Sequence, residues 1–414
     1  MDFLPDPKST SLLLAFLSLN ENQDLPTLIA ETSLADWEEV IRHSQKMGVS
    51  PILYHRMLQK AAGFPIPGAI QVRLRDSYLT SLARNLQLFQ ELAQILRLLV
   101  EAGIPVIPLK GVFLAEKVYA DVGLRPMVDL DLLLPRLDLD QALKVLQCLG
   151  YQAGYPFQVE RECQVLHHLP QLRKPGAATV ELHWNLAPLN TPFKIPIEQV
   201  WQAARPGTLA GAGVLEMAPE DLLLHICLHL AYLDYFSSGL RPICDIAWSI
   251  EHFQSTLDWQ RLRQQANSWA ARHSLLLSLR LAQRLLGVSL PAGFLESLQP
   301  ASYDPNLESW AIAQVFEPAE MGGKLAEVWA PQPWLQRGWR FLHNLFPPSW
   351  EMRSAYPGLA HGLLWPLAYL QHLGVVIQRN WHAVWHLARG EPQVQREAEQ
   401  RSRLNQLVNW LGQG

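Results

Sequence analysis

Asp129 and Asp131 sit one residue apart in the otherwise apolar run Val128-Asp129-Leu130-Asp131-Leu132-Leu133-Leu134. Alternation in a β-strand sends Val128, Leu130 and Leu132 into a core and leaves the two aspartates together on the other face, about 6.5 to 7 Å apart. Carboxylates that close repel each other, and a cation relieves the repulsion. Glu181 stands in a similar setting: in Thr179-Val180-Glu181-Leu182-His183-Trp184, Val180, Leu182 and Trp184 share one face, and Glu181 and His183 share the other. Three acids on two neighbouring strands make an oxygen-rich site suited to Mg²⁺, which binds through one or two carboxylates plus substrate phosphates. Such a site serves phosphoryl or nucleotidyl transfer.

The elements that must position these residues follow from periodicity and punctuation. Leu88, Leu92, Ile95 and Leu99 fall on one helical face, and Gly103 ends that helix. Ile104 to Leu109 reads as a short strand, with Pro105 and Pro108 confining it to irregular or edge pairing. Lys110-Gly111 then opens a helix to about Ala120, and the polar turn Asp121-Val122-Gly123 leads towards the two-aspartate strand. A further helix from Asp138 to Leu149 closes at Gly150, before a hairpin with one strand near Cys163 to Leu172, a turn at Lys174-Pro175-Gly176, and the Glu181 strand returning. The expected class is α+β: a small mixed-sheet core over residues 84–191, between an N-terminal helical region (1–83), a helical domain (192–300) and a C-terminal helical region (301–414).

Ser33 with Asp36 reads as a capping box, Gly48 as a stop, and Ser50-Pro51 as the next helix start. Beyond Pro192 strand signals fade, and Pro219 followed by Glu220 and Asp221 opens a helix with acids in its first turn. Helices are expected to about Gly287 and again from Pro305. Leu345 to Trp350 reads as a rigid break, and Gln395 to Arg403 as a polar helix or frayed tail.

At 414 residues and 49% apolar content the chain can bury two or three cores, and its formal charge of −4 gives no general attraction to polyanions. Cys148, Cys163, Cys227 and Cys244 are too scattered for a disulfide scaffold, which points to a reducing, cytoplasmic setting. The start, with Asp2 and Asp6 before a short apolar run, lacks the features of a signal peptide. Gly358 to Ile377 is interrupted by His361, Pro366, Gln371 and His372, so no transmembrane segment is expected. Its continuation, with Arg379, Trp381, Trp385 and Arg389, reads as a packed helix pair, a membrane-surface helix being the alternative. His225 and His229 have the spacing of a zinc pair but lack the glutamate of H-E-x-x-H and a third ligand, which favours structural histidines, His229 bonding Asp245. Gly-x-Ser-x-Gly and Walker-type loops are missing, which removes the common hydrolase and P-loop readings.

The order strand, Lys110-Gly111, helix, Arg125, Asp129-x-Asp131, helix, hairpin, Glu181-Leu182-His183-Trp184 resembles the polymerase-β-like nucleotidyltransferases, and most of all their poorly characterised bacterial branch. The likeness extends from the N-terminal helices to the His229 and Asp245 helices and the Phe346-Pro347 region. It implies a Mg²⁺- or Mn²⁺-dependent transfer of an NMP group from an NTP, ATP foremost, to a hydroxyl on a small molecule or protein, with release of pyrophosphate. General nucleic-acid binding is not expected. Asp129, Asp131 and Glu181 would be the catalytic metal ligands, and Lys110, Gly111 and Arg125 the nucleotide contacts. Arg125 either touches pyrophosphate or pairs with Asp129 or Asp131. His183 either orients the acceptor hydroxyl or hydrogen-bonds a neighbouring side chain. One departure matters: the superfamily commonly has Gly-Ser, whose serine helps hold the triphosphate, where this chain has Lys110-Gly111. Lysine can replace that contact as a point charge, or can be a solvated residue at a strand end. The competing expectation is an inactive nucleotide-binding or interaction scaffold.

Overall fold

Backbone pairing in the computed structural model, which describes residues 7–21, 23–318, 346–347, 352, 367–375 and 392–414, builds a mixed five-stranded sheet. Its strands are β1 (Ile107–Pro108), β2 (Asp129–Leu133), β3 (Gln152–Ala153), β4 (Leu172–Arg173) and β5 (Thr179–His183), in the order β1-β2-β5-β4-β3. Only the central β2–β5 pair is parallel, and it sets Asp129 opposite Thr179, Asp131 opposite Glu181 and Leu133 opposite His183. Leu130, Leu132, Val180 and Leu182 point the other way and are fully buried. The fold is thus α+β, as the alternation of apolar and acidic residues requires.

Helices precede the sheet: α1 (Pro7–Leu17), α2 (Leu25–Ala30), α3 (Leu34–Lys46), α4 (Ser50–Lys60) and the 34-residue α5 (Gly68–Glu101). Ser33 and Asp36 form the reciprocal capping box at the start of α3, and Pro51 lies in the first turn of α4. The α5 residues Leu88, Leu92, Ile95 and Leu99 join the sheet's inner face in one buried cluster. Because α5 is continuous, it runs through the expected boundary at residues 83 and 84.

After β1, α6 (Lys110–Phe113) continues as a π-helical turn over Leu114–Val118. Helix α7 (Leu139–Cys148) ends at Gly150, whose φ of 91° no ordinary residue adopts cheaply. Further on lie the single turn α8 (Val159–Glu162), α9 (Ile197–Ala203), α10 (Pro219–Leu228) with a π turn over His229–Leu233, and α11 (Arg241–His252). Then come α12 (Trp259–Ser268), α13 (Arg272–Leu286), α14 (Phe294–Leu298) and α15 (Asn306–Phe316), and finally α16 (Pro392–Leu411). The chain forms one body of Met1–Glu317 with Trp410–Gly414 and a second of Pro318–Asn409. Within the second, the Tyr369 hydroxyl donates to the Pro347 carbonyl at 2.9 Å.

Four local expectations need correction. The strand expected over Ile104 to Leu109 shrinks to two residues, consistent with its two prolines. The strand expected near Cys163 to Leu172 is mostly absent: a helical turn leads into it, and pairing survives as a bridge between His168 and His183 and as β4. Pro170, which has no N–H to give a ladder, interrupts the run. Val128, expected in the core, lies just before β2 and is 55% exposed. Finally, residues 192–300 are not all helical, because β6 (Arg205–Leu209) and β7 (Ala212–Glu216) form an antiparallel hairpin. Its turn carries positive φ at both Ala210 (49°) and Gly211 (75°), the backbone of a type I′ turn without the usual Asn or Asp signal. Leu209 and Val214 join the sheet's own core, and Leu215 N donates to Val106 O at 2.9 Å.

Among the described residues no helix is long and apolar enough to cross a membrane. The readings placed on Asp2, Asp6, Leu345, Pro348 to Trp350, Gly358 to Pro366, Arg379, Trp381, Trp385 and Arg389 lie outside the described residues.

The apolar side of the parallel pair holds the acids in place from behind. Leu130→Ala should therefore cost about 2 to 5 kcal/mol of stability through lost burial and the cavity left. Urea unfolding followed by circular dichroism measures it, and a shift under 1 kcal/mol would mean that the pair does not depend on that packing.

Candidate active site

Parallel pairing places residues in register side by side on one face, so Asp131 and Glu181 neighbour each other at the strand spacing of about 4.8 Å. His183, two residues further along β5, is on that face too and is only 4% exposed. Its Nε2 lies 3.3 Å from Asp131 Oδ1 and 3.4 Å from Glu181 Oε2. One ligand atom from each of Asp131, Glu181 and His183 falls within 4.8 Å of the others, a set that could hold a divalent metal ion. Glu181 Oε1 also accepts from Gln171 Nε2 at 2.7 Å.

Asp129 stands beside this trio and not within it. It lines a cavity of about 290 Å³ together with Asp131, Glu181, Lys110, Gly111 and Arg125. All six expected catalytic or nucleotide-binding residues thereby line one cavity, and His183 lies against two of its carboxylates.

Electrostatics differ sharply among the acids. Burial and then the charges of Asp131 and Glu181 push the Asp129 carboxyl above its ordinary pKa. Burial acts the same way on Asp131, but the His183 hydrogen bond and the Lys110 charge outweigh it and hold that carboxyl well below its usual range. Glu181 is lowered first by the His183 hydrogen bond, against burial and with help from Gln171. For His183 burial lowers the pKa, yet the hydrogen bonds to Asp131 and Glu181 prevail and the net shift is upward. The imidazole is therefore the bridge that lets two acids share one site.

Lys110 Nζ lies 3.7 Å from Asp131 Oδ2, so this side chain reaches the acids and is not a solvated strand end. Its backbone φ is 40°, in the left-handed region that favours glycine. At Gly111 an added Cβ would come 3.1 Å from Arg125 Nη1 and 3.2 Å from Met127 Sδ, so a larger residue there would press on both side chains.

Arg125 pairs with neither Asp129 nor Asp131. Only 7% exposed, it donates from Nε and Nη2 to the two oxygens of Asp245, both at 2.8 Å, and the Tyr119 hydroxyl adds a third bond to Asp245 at 3.0 Å. His229 therefore does not bond Asp245; it pairs with Asp234 at 3.2 Å. His225, 2% exposed, has both ring nitrogens buried without a partner, and burial keeps its pKa well below the ordinary value. Among the described residues the His225–His229 pair belongs to no metal-ligating cluster.

Two histidines near the site escaped the sequence reading. The rings of His167 and His168 lie 5.4 and 5.1 Å from that of His183, and burial takes the His167 pKa down to about 3, which keeps it neutral. Arg241, at the opening of α11, lines the cavity as well. The adjacent His167-His168 pair was a visible signal; nothing local marked Arg241.

A family model described as an uncharacterised nucleotidyltransferase matches residues 33–287. The chain belongs to this family. No curated protein and no solved structure matches it. The nucleotidyltransferase match spans β1 through α13, so every residue of the cavity described above lies inside it.

The buried Arg125–Asp245 pair invites a direct test. Removing either partner alone strands a charge and should cost about 3 to 5 kcal/mol, whereas Arg125→Ala with Asp245→Ala should cost clearly less than the sum. Additive losses in urea unfolding would show that the pair is not coupled.

Proposed function

We propose that the protein is a divalent-cation-dependent nucleotidyltransferase that moves an NMP group from an NTP to a hydroxyl acceptor and releases pyrophosphate. The observation that carries this reading is the register that sets Asp131 beside Glu181, with His183 against both, in a cavity that also holds Asp129 and Lys110. The donor set fits a hard divalent ion such as Mg²⁺ or Mn²⁺, with carboxylate oxygens from Asp129, Asp131 and Glu181 and room for substrate oxygens. Such an ion supplies Lewis-acid polarisation of the phosphate and lowers the pKa of the acceptor hydroxyl.

The chain's own groups do the rest. Asp131, held ionised by His183 and Lys110, is ready to ligate without first losing a proton. Lys110 is placed to neutralise phosphate charge on the acid side of the cavity. The acceptor oxygen forms a bond to the α-phosphorus, the bond from that phosphorus to the β-phosphate bridging oxygen breaks, and the acceptor's proton passes to Glu181 or to water beside it. His183, locked between two carboxylates, positions them and is not free to orient an acceptor.

Two measurements test the reading. NTP with Mg²⁺ should raise the unfolding temperature, and α-³²P-labelled NTP should leave label on an acceptor from cell lysate with release of pyrophosphate; Asp131→Asn should abolish both. If NTP gives no metal-dependent stabilisation of the wild type, the proposal falls, and binding without transfer of label would favour the scaffold.

Lys110→Gly separates fold from function. Relief of the left-handed backbone should stabilise the protein by about 1 kcal/mol, while loss of the ammonium group should weaken triphosphate binding by about 1 to 3 kcal/mol. Urea unfolding and calorimetric titration read the two effects, and equal or tighter triphosphate binding would remove Lys110 from the nucleotide site.

A further inference from the structure

Cations around the cavity are almost all matched by an acid. Lys110 lies 3.7 Å from Asp131, and Arg125 makes its two-pronged contact with Asp245. Arg241 is the exception. Among the described residues no carboxylate pairs with it: its Nη1 donates to the Pro126 carbonyl at 3.2 Å, and its Nε is buried without a hydrogen-bond partner. Arg241 is part-buried, and its Nε has lost water without gaining a hydrogen bond, an arrangement that an anion would complete.

Resting on the function proposed above, we propose that Arg241, and not Arg125, is the guanidinium that holds the β- and γ-phosphates of the NTP and then the departing pyrophosphate. Arg125 is poorly suited to that task because the fork that would grip a phosphate already grips Asp245. Arg241 shares the cavity with Asp129, Asp131 and Glu181, so the acids that would hold a cation and a guanidinium with no carboxylate partner face the same space. A triphosphate bound to a divalent ion needs both: acids for the ion, and a cation for phosphate charge that the ion leaves uncompensated. Burial and the nearby Arg125 lower the Arg241 pKa, so the bare protein holds this charge at a cost that phosphate oxygens would offset. Its backbone is fixed from outside the cavity, where Arg241 N donates to Met47 O at 3.2 Å.

The test is calorimetric titration of the full chain with Mg²⁺ and a non-hydrolysable α,β-methylene NTP, and separately with the matching NMP. Arg241→Ala should raise the triphosphate Kd by tenfold or more and leave the monophosphate Kd within twofold. Arg241→Lys should recover part of the loss, since it keeps the charge and loses the fork. Added guanidinium ion should partly restore triphosphate binding to the alanine variant. If the alanine variant does not fold, Arg241→Gln and Arg241→Lys carry the same comparison. A triphosphate Kd within twofold of wild type in the folded variants overturns the assignment, as does an equal loss for triphosphate and monophosphate. Failure of the wild type to bind the triphosphate at all would instead sink the proposed function on which this rests.

Discussion

One register decides the site. Parallel pairing of β2 with β5 puts Asp131 opposite Glu181 and, through the period of two, keeps Leu130, Leu132, Val180 and Leu182 on the buried face. A slip by one residue would set a leucine or valine opposite Asp131 and turn one strand's acids into the core. The register is thus enforced by hydrophobic burial on one side of the sheet and exploited by carboxylates on the other. The flanking elements serve that pair: α5 covers its apolar face, and α6 and α11 bring Lys110, Asp245 and Arg241 to the cavity on the acid side.

Crowding acids on one face has a cost that the chain meets with local partners. His183 bridges Asp131 and Glu181, Lys110 stands by Asp131, and Gln171 holds the other oxygen of Glu181. Asp129 has the least such support, and its raised pKa follows from burial beside two like charges. Three acids on neighbouring strands therefore differ in how readily they give up a proton. Asp131 is the fixed point, shared by lysine and histidine, and the others are arranged around it. π-Helical turns follow α6 and α10, whose residues line the cavity, and departures of this kind cluster where helices are bent to present side chains to a site.

The strand-borne part of this site was legible because strand alternation is local. Asp129-Leu130-Asp131 and Val180-Glu181-Leu182 announce their faces within three residues, and the caps at Ser33, Gly103 and Gly150 announce helix ends in the same way. What failed was long-range or conformationally unusual. The Arg125–Asp245 pair spans 120 residues of sequence, and no spacing rule predicts which buried acid an arginine will find. The β6–β7 hairpin was hidden because Ala210 takes a backbone more often given to asparagine or glycine, and Pro206 and several glycines weaken its strand signal. Cys163 to Leu172 failed for the converse reason, its apolar residues suggesting a strand that Pro170 does not allow to continue.

Lys110 joins the two kinds of information. Lys110 stands where the superfamily this chain resembles commonly has glycine, and its backbone φ of 40° lies in the region that favours glycine. A left-handed conformation costs a non-glycine residue about 1 to 2 kcal/mol, a large fraction of any single contact's contribution to stability. The side chain extends to Asp131, 3.7 Å away. The strained backbone therefore lies at the cavity and its side chain reaches the acids there, and strain of this kind is found where a site fixes a residue's position.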